Sequence, residues 1–302
     1  MGDRAPSAII LAGGEGTRLR SLTRALVGDD RPKQFCPVLG SETLLDQTRR
    51  RVGMLMASER SLTVVTQHHA RHYVPALRHV PSPLVVVQPE NRGTAPAILY
   101  ALLRLVTVAP DAPVALFPSD HHFSDDRAFM WAVEEALETV APRPSLTVLL
   151  GMAADRPEVE YGWIEPGDLI TGVSAPLYAV RRFWEKPERH VAERLLARGA
   201  HWNSFVIVGH PSTLLALMEK ATPSLVAAFR PLRARMGTPW EAGAARALYA
   251  ALPASDFSQT VLTPCASALA VLPVPGVEWN DLGDPGRVVT VRQRLGGRLA
   301  MA

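Results

Sequence analysis

Residues Ile9–Arg20 read IILAGGEGTRLR, an apolar run that stops at two glycines and continues into a threonine and an arginine. The apolar part is typical of a buried β-strand. Glycines let backbone N–H groups approach an anion closely, and the free N–H groups at the start of a helix add partial positive charge. The stretch therefore predicts a strand, a phosphate-binding loop and a helix, in that order.

The rest of the first half alternates short apolar runs with amphipathic stretches. Nearly continuous apolar runs predict buried parallel strands at Ser7–Ala12, Leu62–Thr66, Leu84–Gln88, Val114–Phe117 and Leu146–Leu150. Helical patterns lie between them at Thr43–Met56, His69–Leu77, Thr94–Val108 and Asp126–Val140. This alternation predicts an α/β fold, a Rossmann-like mixed and mainly parallel sheet with helices on both faces.

The second half of the chain is less regular. Its predicted strands are Leu177–Trp184, Ser204–Val208 and Ala268–Leu272, and its predicted helices are Pro187–Ala197, several between Ser212 and Leu252, and Pro285–Leu295. No internal repeat or low-complexity linker divides the sequence, and most prolines fall at element boundaries. We therefore expect a single domain over 1–302, with one half at about 1–150 and an elaborated half at about 151–302.

Composition and charge exclude several classes of protein. The 302 residues carry a formal net charge of +3, and no block of lysines and arginines suggests a nucleic-acid surface. No apolar run approaches the ~20 residues that span a bilayer, and the N-terminus lacks the pattern of a signal peptide. Cys36 and Cys265 are too few and too far apart in sequence for a disulfide framework. We expect a cytoplasmic protein that binds neither nucleic acid nor membrane.

Three phosphate-binding motifs compete for the opening loop. The dinucleotide fingerprint needs a third glycine where Leu19 stands, and the P-loop needs a lysine that does not follow. The third motif, L-A-G-G-x-G-T-R-L, matches in full. Further motifs follow along the chain: RPKQF (Arg31–Phe35), QPENRGTAPAI (Gln88–Ile98), PSDH (Pro118–His121), EYGWIEPG (Glu160–Gly167), FWEKP (Phe183–Pro187), WNSFVIVG (Trp202–Gly209) and VEWNDLGDPGRV (Val277–Val288). With these motifs the chain resembles the sugar-1-phosphate nucleotidylyltransferases, in particular the mannose-1-phosphate guanylyltransferase group.

The resemblance implies the fold of the nucleotide-diphospho-sugar transferases and a set of site residues. In the family reaction, a sugar 1-phosphate attacks the α-phosphorus of a nucleoside triphosphate, and pyrophosphate leaves. The implied catalytic residues are Arg18, Lys33, Asp120 and Lys186. The implied nucleotide-binding residues are Leu11, Ala12, Gly13, Gly14, Gly16, Thr17, Gln88, Asn91, Gly93, Thr94 and Ser119. The implied sugar-phosphate-binding residues are Gly162, Glu185, Lys186 and Asn203.

Two polyanions meet in this reaction, so the protein must supply positive charge and position the reactants. The resemblance places Arg18 beside the α- and β-phosphates, Lys33 on the triphosphate and Lys186 on the phosphate of the sugar. The chain has only three lysines, and two of them fall in these motifs. The third, Lys220, fits a solvated surface position.

The cofactor implied by the resemblance is Mg²⁺. Asp120 follows the predicted strand Val114–Phe117, and open α/β sheets bind ligands at the carboxyl ends of their strands. Asp281 is the expected second ligand, although Asp284 stands close by in the same motif. One or two carboxylates together with phosphate oxygens and water suit Mg²⁺.

Four positions depart from the pattern of the guanylyltransferases. Many of these proteins carry glutamate where Gln88 stands, and a carboxylate suits the two adjacent donors of guanine, whereas an amide both donates and accepts. Asn91 and Gly93 are exchanged relative to the usual GRNTAPA, and Gly93 would let a flat base approach the backbone. Phe205 replaces the glycine of the usual WNSG and would reshape the wall that contacts the sugar.

A group of histidines offers a zinc alternative. His68 and His72 are four residues apart and could face together on a helix, with His69 beside them. The sequence lacks the H-E-x-x-H pattern and has no cysteine nearby. We interpret these as surface or capping histidines, and expect His121 to line the phosphate site next to Asp120.

The favoured reaction is the formation of GDP-mannose from GTP and mannose 1-phosphate. The same chemistry with another base or sugar, such as UDP- or dTDP-glucose or a GDP-heptose, stays open, as does a non-catalytic homologue that senses nucleotide-sugars. A silent homologue would be expected to lose some of the implied charged residues, and all of them are present: Arg18, Lys33, Asp120, Lys186 and Asp281. We also expect a short form without isomerase or β-helix domain, and a homodimer.

Overall fold

The computed structural model describes residues 5–109 and 112–296. The strands in this part of the chain are β1 (Ser7–Leu11), β2 (Ser61–Thr66), β3 (Val85–Gln88), β4 (Val114–Pro118), β5 (His122–Phe123), β6 (Thr147–Ala153), β7 (Gly162–Leu169), β8 (Tyr178–Glu185), β9 (His201–Gly209), β10 (Ala270–Val274) and β11 (Trp279–Asn280). The helices are α1 (Arg20–Val27), α2 (Leu44–Val52), α3 (Ala70–Ala76), α4 (Thr94–Val108), α5 (Asp126–Val140), α6 (Arg189–Ala197), α7 (Pro211–Ala221), α8 (Pro223–Ala228), α9 (Arg230–Arg233), α10 (Glu241–Ala251) and α11 (Pro285–Arg294).

A nine-stranded sheet forms the centre of the described structure, in the order β3-β2-β1-β4-β9-β6-β10-β8-β7. β8 and β9 run opposite to the other strands, which confirms a mixed and mainly parallel sheet. Leu11, at the carboxyl end of β1, pairs with Val64 on β2 and Pro118 on β4. The loops after β1, β3 and β4 therefore leave the same edge of the sheet, where parallel α/β folds bind ligands.

Two hydrophobic cores cover the two faces of this sheet. Successive residues of a strand point to opposite faces, so Ile10 packs in one core with residues of α2 and α5, and Ile9 in the other with residues of α4, α7 and α10. Helices on both faces are thus confirmed. A smaller third core joins Leu19 and Cys36 to Leu282 and Val288, and so holds α11 against the loops that follow β1.

Several element boundaries differ from those predicted. Thr43 caps α2 by accepting a hydrogen bond from the N–H group of Asp46 (3.1 Å), and α2 ends at Val52, short of the predicted Met56. The strand β7 was not predicted, because its glycines and its proline interrupt the apolar pattern on which strand prediction depends.

None of the helices in the described part of the chain has both the length and the apolar character to cross a lipid bilayer.

Candidate active site

A cleft of about 400 Å³ opens where the strands of the parallel half end and continues along β7, β8 and β9. Most of the residues implied by the sequence line it: Leu11, Gly13, Gly14, Arg18, Gln88, Asn91, Gly93, Thr94, Asp120, Gly162, Glu185, Asn203 and Asp281. The expected His121 lies there too. Asp256 and Ser258 also line the cleft, but they lie outside every recognised motif, so no local signal in the sequence pointed to them.

The other implied residues lie behind or beside the lining: Ala12, Gly16, Thr17, Lys33, Ser119 and Lys186. Ser119 is buried, and its N–H group donates to the carbonyl oxygen of Leu11 (3.2 Å), which ties the loop after β4 to β1. Gly16 has φ +60°, and a Cβ atom there would lie 3.0 Å from the backbone nitrogen of Lys33. This close approach and the left-handed backbone explain a glycine at that position.

The glycine loop keeps its backbone donors free. Within the described residues, the N–H groups of residues 13–16 donate no hydrogen bond. The carbonyl oxygens of the loop are held from behind: Gln34 donates to those of Ala12 and Gly14 (3.0 and 2.8 Å), and Thr66 donates to that of the glycine between them (2.9 Å). A loop with bound carbonyls and free N–H groups is suited to an anion.

Lys33 lies between two aspartates of the cleft. Its Nζ atom is 3.4 Å from Oδ2 of Asp120, and it donates to the carbonyl oxygens of Asp281 and Leu282. Leu282 adopts φ +50°, a left-handed conformation that is uncommon outside glycine, and Asn280 accepts a hydrogen bond from its N–H group (2.8 Å). This turn directs two consecutive carbonyl oxygens towards the ammonium group.

Arg287 anchors the Asp281 carboxylate. Its guanidinium lies 2.9 Å from Oδ1 of Asp281, 3.0 Å from Oε1 of Glu158 and 3.0 Å from Oδ2 of Asp284. Burial of the Asp281 carboxyl opposes its ionisation, but neighbouring basic groups, Lys33 and Arg287 among them, lower its pKa. Asp284 caps α11 by accepting from the N–H group of Arg287 (3.1 Å). The two neighbouring aspartates are thus distinguished, because Asp281 lines the cleft and Asp284 does not.

Asp120 and Asp281 offer the oxygen donors that a divalent cation requires. Both carboxylates line the cleft, and the Lys33 ammonium already lies against the Asp120 carboxylate and the backbone carbonyl oxygen of Asp281. The residues present therefore fit Mg²⁺.

Arg18 reaches across the cleft. Its Nη1 atom lies 3.0 Å from Oε2 of Glu160, in the segment between β6 and β7, and the side chains of both residues are about half exposed. An exposed ion pair of this kind contributes little to stability. The arginine is therefore available to a phosphate that enters between the two.

One wall of the cleft consists of residues of β7, β8 and β9, and we call it the sugar wall: Gly162, Glu185, Asn203 and Phe205, together with Lys186, which follows β8 and lies beside the lining. Two of these residues adopt a left-handed backbone, Lys186 with φ +47° and Phe205 with φ +61°. The Phe205 N–H group donates to Oδ1 of Asn203 (3.1 Å), at a bend of β9 opposite an irregularity in its pairing with β6. A left-handed backbone favours glycine, which is the residue that the resemblance leads one to expect where Phe205 stands.

Glu185 supplies the carboxyl group of this wall. Burial first, and then the nearby Asp256 carboxylate, raise its pKa to about 7. A Cβ atom on Gly162 would lie 3.0 Å from Oε2 of Glu185. The protein's own side chains therefore explain a glycine at this position, and contact of Gly162 with a sugar stays a prediction.

Gly93 is also closely approached by the protein's own chain. It has φ +87°, and a Cβ atom there would lie 2.3 Å from the carbonyl oxygen of Ser255, which also accepts from the N–H group of Ala95 (3.0 Å). Thr94 accepts from the N–H group of Phe257 (2.7 Å) and lies 3.2 Å from Asp256. The missing Cβ atom at Gly93 therefore admits the chain segment that holds this loop, and the approach of a base to this backbone stays a prediction.

The histidines do not form the helical pair that the sequence suggested. α3 begins only at Ala70, so His68 precedes the helix, and the ring of His72 stacks on Phe35 at 5.9 Å. Glu15 of the glycine loop joins His68 and His69 instead, with Nε2 atoms 3.0 and 3.7 Å from its carboxylate. His68 is exposed, but His69 is buried, and burial lowers its pKa to about 4. His68 thus lies at the surface as expected, whereas His69 is buried and occupies the N-cap position of α3 without a side-chain capping hydrogen bond.

Comparison with known proteins agrees with this arrangement of motifs. Residues 7–295 match the family model described as Nucleotidyl transferase. The chain belongs to the nucleotidyl transferase family.

Named relatives and a solved structure support the same family. The xanthan biosynthesis protein XanB of Xanthomonas campestris is 31% identical over 95% of this chain and 60% of its own length. A mannose-1-phosphate guanylyltransferase of Klebsiella pneumoniae is 31% identical over 73% of this chain and 46% of its own length. The chain thus spans roughly half the length of these relatives. A crystal structure from Thermus thermophilus, described as a mannose-1-phosphate geranyltransferase, superposes with a TM-score of 0.79 at 29% identity, over 92% of this chain and 76% of that one.

Proposed function

We propose that the protein transfers a nucleotidyl group from a nucleoside triphosphate to a sugar 1-phosphate, with GTP and mannose 1-phosphate as the favoured pair. One observation carries the proposal: a single cleft joins the glycine loop with its free N–H groups, two ionisable aspartates and the sugar wall. The name of the Klebsiella pneumoniae relative supports the choice of substrates. Cytoplasmic location and homodimer formation stay predictions.

The reaction needs no general base, because the attacking phosphate oxygen is already anionic. That oxygen forms a bond to the α-phosphorus, the bond from the α-phosphorus to the bridging oxygen of the β-phosphate breaks, and pyrophosphate leaves with the electron pair. The N–H groups of residues 13–16 would bind triphosphate oxygens, and Arg18 would stabilise the charge that grows on the equatorial and leaving oxygens. Lys186, whose side chain is 54% exposed, would bind the phosphate of the sugar.

Asp120 and Asp281 would hold Mg²⁺. The ion would neutralise triphosphate charge and align the reacting groups. Arg287 would keep Asp281 ionised and correctly oriented, and Lys33 would be released from the aspartates to contact phosphate oxygens.

The test is a matrix of nucleoside triphosphates against sugar 1-phosphates, with Mg²⁺ present, that measures release of pyrophosphate. We expect the highest kcat/KM for GTP with mannose 1-phosphate. Absence of turnover for every pair would refute the enzyme and favour a nucleotide-sugar-sensing homologue. A clear preference for UTP or dTTP would refute the choice of guanine alone.

A further inference from the structure

Gln88 presents an unpartnered donor to the cleft. It is the last residue of β3, it lines the cleft, and only 1% of its surface is exposed. Its Oε1 atom accepts a hydrogen bond from the hydroxyl group of Tyr249 (3.1 Å). Its Nε2 atom donates no hydrogen bond within the described residues and lies against Gly13, where a Cβ atom would be only 2.8 Å away. This N–H group is accessible from the cleft and has no acceptor within the described protein, so an acceptor on a bound ligand can pair with it.

Tyr249 determines which end of the amide faces the cleft. Its side chain, on α10, is fully buried, and burial raises the pKa of its hydroxyl, which therefore keeps its proton at neutral pH. A buried hydroxyl proton needs an acceptor. The alternative acceptor, the Pro96 carbonyl oxygen, is farther away at 3.5 Å and lies inside α4, where carbonyls ordinarily accept from the N–H group four residues on.

Rotating the amide by 180° would lose this arrangement. Nε2 would then face the tyrosine oxygen, and the hydroxyl proton would be left with the longer contact to a carbonyl that already has a helical partner. The shorter contact at 3.1 Å favours Oε1 towards Tyr249 and Nε2 towards the cleft.

An N–H donor selects bases that carry an acceptor at the contacted edge. Guanine offers O6, and uracil and thymine offer O4. The N1–H and 2-amino groups of guanine are themselves donors and cannot pair with Nε2. A carboxylate at this position would show the opposite preference, because it accepts from both guanine donors.

We propose that Tyr249 is a positioning residue that presents Nε2 of Gln88 to a keto oxygen of the base, so that the 2-amino group of guanine is not recognised there. This inference rests on the proposed function in that the ligand is a nucleoside triphosphate bound in this cleft. A donor at the 6-position pairs with the keto oxygen of guanine or hypoxanthine and opposes the 6-amino group of adenine, but it does not separate guanine from hypoxanthine.

Calorimetric binding of triphosphates to the whole protein tests the inference without requiring turnover. Inosine triphosphate lacks only the 2-amino group of GTP, and ATP carries an amino group in place of the keto oxygen. For the wild type we expect GTP and inosine triphosphate to bind within about threefold of each other, and ATP about tenfold more weakly than inosine triphosphate. A preference of about tenfold or more for GTP over inosine triphosphate would overturn the inference.

Two variants and one control separate the roles of the two residues. Tyr249→Phe frees the amide to rotate and offer Oε1, so the preference for GTP over inosine triphosphate should rise at least about threefold. Gln88→Glu should raise the same preference about tenfold, because its carboxylate accepts from the 2-amino group. Tyr100→Phe is the matched control: its hydroxyl also lies in the buried cluster but donates to Glu241, so the ratio should not change. An unchanged ratio in Tyr249→Phe beside a raised ratio in Gln88→Glu would refute the role of Tyr249. An unchanged ratio in both would refute base recognition by Gln88.

The outcomes also separate this inference from the proposed function. Binding with the expected pattern but without pyrophosphate release would remove the proposed function and keep the inference. Turnover combined with strong discrimination against inosine triphosphate in the wild type would keep the proposed function and remove the inference. No binding of any triphosphate would overturn both.

Discussion

The charged cluster, which consists of Lys33, Asp120, Asp281 and Arg287, and the sugar wall meet at the same cleft but are held in different ways. Each side chain of the charged cluster is at most about one fifth exposed and contacts an opposite charge or carbonyls from another motif. In the sugar wall, Lys186 is 54% exposed, and its nearest carboxylate, 3.9 Å away, belongs to its own neighbour in sequence.

The charged cluster is therefore preorganised by its own contacts, whereas the sugar wall is not. In the charged cluster the charges fix one another, so a change there should affect turnover, stability or both. In the sugar wall the Lys186 ammonium is exposed and available to a ligand. The backbone there is locally strained at Lys186 and Phe205. A change there should mainly affect sugar-phosphate binding.

The largest effect is expected for Asp120→Asn. Removing one of two carboxylates from the phosphate site should lower kcat at least about 100-fold, since a fixed charge acts strongly on a reacting phosphate in a partly buried site. The free energy of unfolding should change little, because Asp120 is only one of the partners of Lys33. Pyrophosphate release over a Mg²⁺ titration, together with urea unfolding, measures both. Asp168→Asn, an exposed position on β7, is the control, and activity with an unchanged Mg²⁺ dependence would rule out Asp120 as a ligand.

Arg287→Met tests whether the charged cluster stabilises the fold. The change leaves Glu158 and Asp281 in a little-exposed site without their shared cation, so the free energy of unfolding should fall by about 3 kcal/mol. Arg294→Met, on the same helix, removes only an exposed pair with Glu278 and should cost less than about 1 kcal/mol in urea unfolding. An equal loss in the free energy of unfolding for the two variants would show that the charged cluster stabilises the fold no more than the exposed Arg294–Glu278 pair does.

Lys186→Ala tests the sugar wall as a binding surface. Loss of an exposed ammonium that awaits a phosphate should raise KM for the sugar 1-phosphate about tenfold more than KM for the triphosphate. Unfolding should hardly change. Lys220→Ala, on α7, serves as the control. If both KM values rose equally, Lys186 would not hold the sugar phosphate.

Glu185→Gln tests the raised pKa of the Glu185 carboxyl group in the sugar wall. Between the usual pKa of 4.5 and about 7, the folded protein binds more protons at Glu185 than the unfolded chain does. The wild type should therefore lose stability relative to Glu185→Gln as the pH rises through this range, and the difference should then become constant. Thermal unfolding from pH 5 to pH 8 measures it, with Glu193→Gln, exposed on α6, as control. Parallel curves for wild type and Glu185→Gln would contradict the raised pKa.

The smallest effect is expected for Phe205→Gly. Relief of a left-handed backbone gains about 1 kcal/mol, and loss of the ring contact with Phe257 at 6.4 Å costs a similar amount. The free energy of unfolding should therefore stay within about 1 kcal/mol of the wild type, as measured in urea. A loss above about 2 kcal/mol would show that ring packing dominates at this position.

Local patterns were sufficient for the parallel half of the molecule. The predicted helices Thr94–Val108 and Asp126–Val140 agree with α4 and α5 at both ends, because caps and periodicity act within a few residues. β7 was missed because its strand conformation comes from pairing with β8 and β9, which a single stretch of sequence does not encode. Likewise, most of the residues that line the cleft belong to the sequence motifs.

What the sequence determined by itself is the family, the alternation of strands and helices, and the chemical types of the residues gathered at one edge of the sheet. The tertiary structure alone decided which contacts these residues make: that Asp281 rather than Asp284 enters the cleft, that Ser255 occupies the space beside Gly93, and that Tyr249 turns the amide of Gln88. The physical reason is range. Capping, periodicity and glycine loops are local, whereas the orientation of a buried amide depends on a hydroxyl group 161 positions away in the sequence.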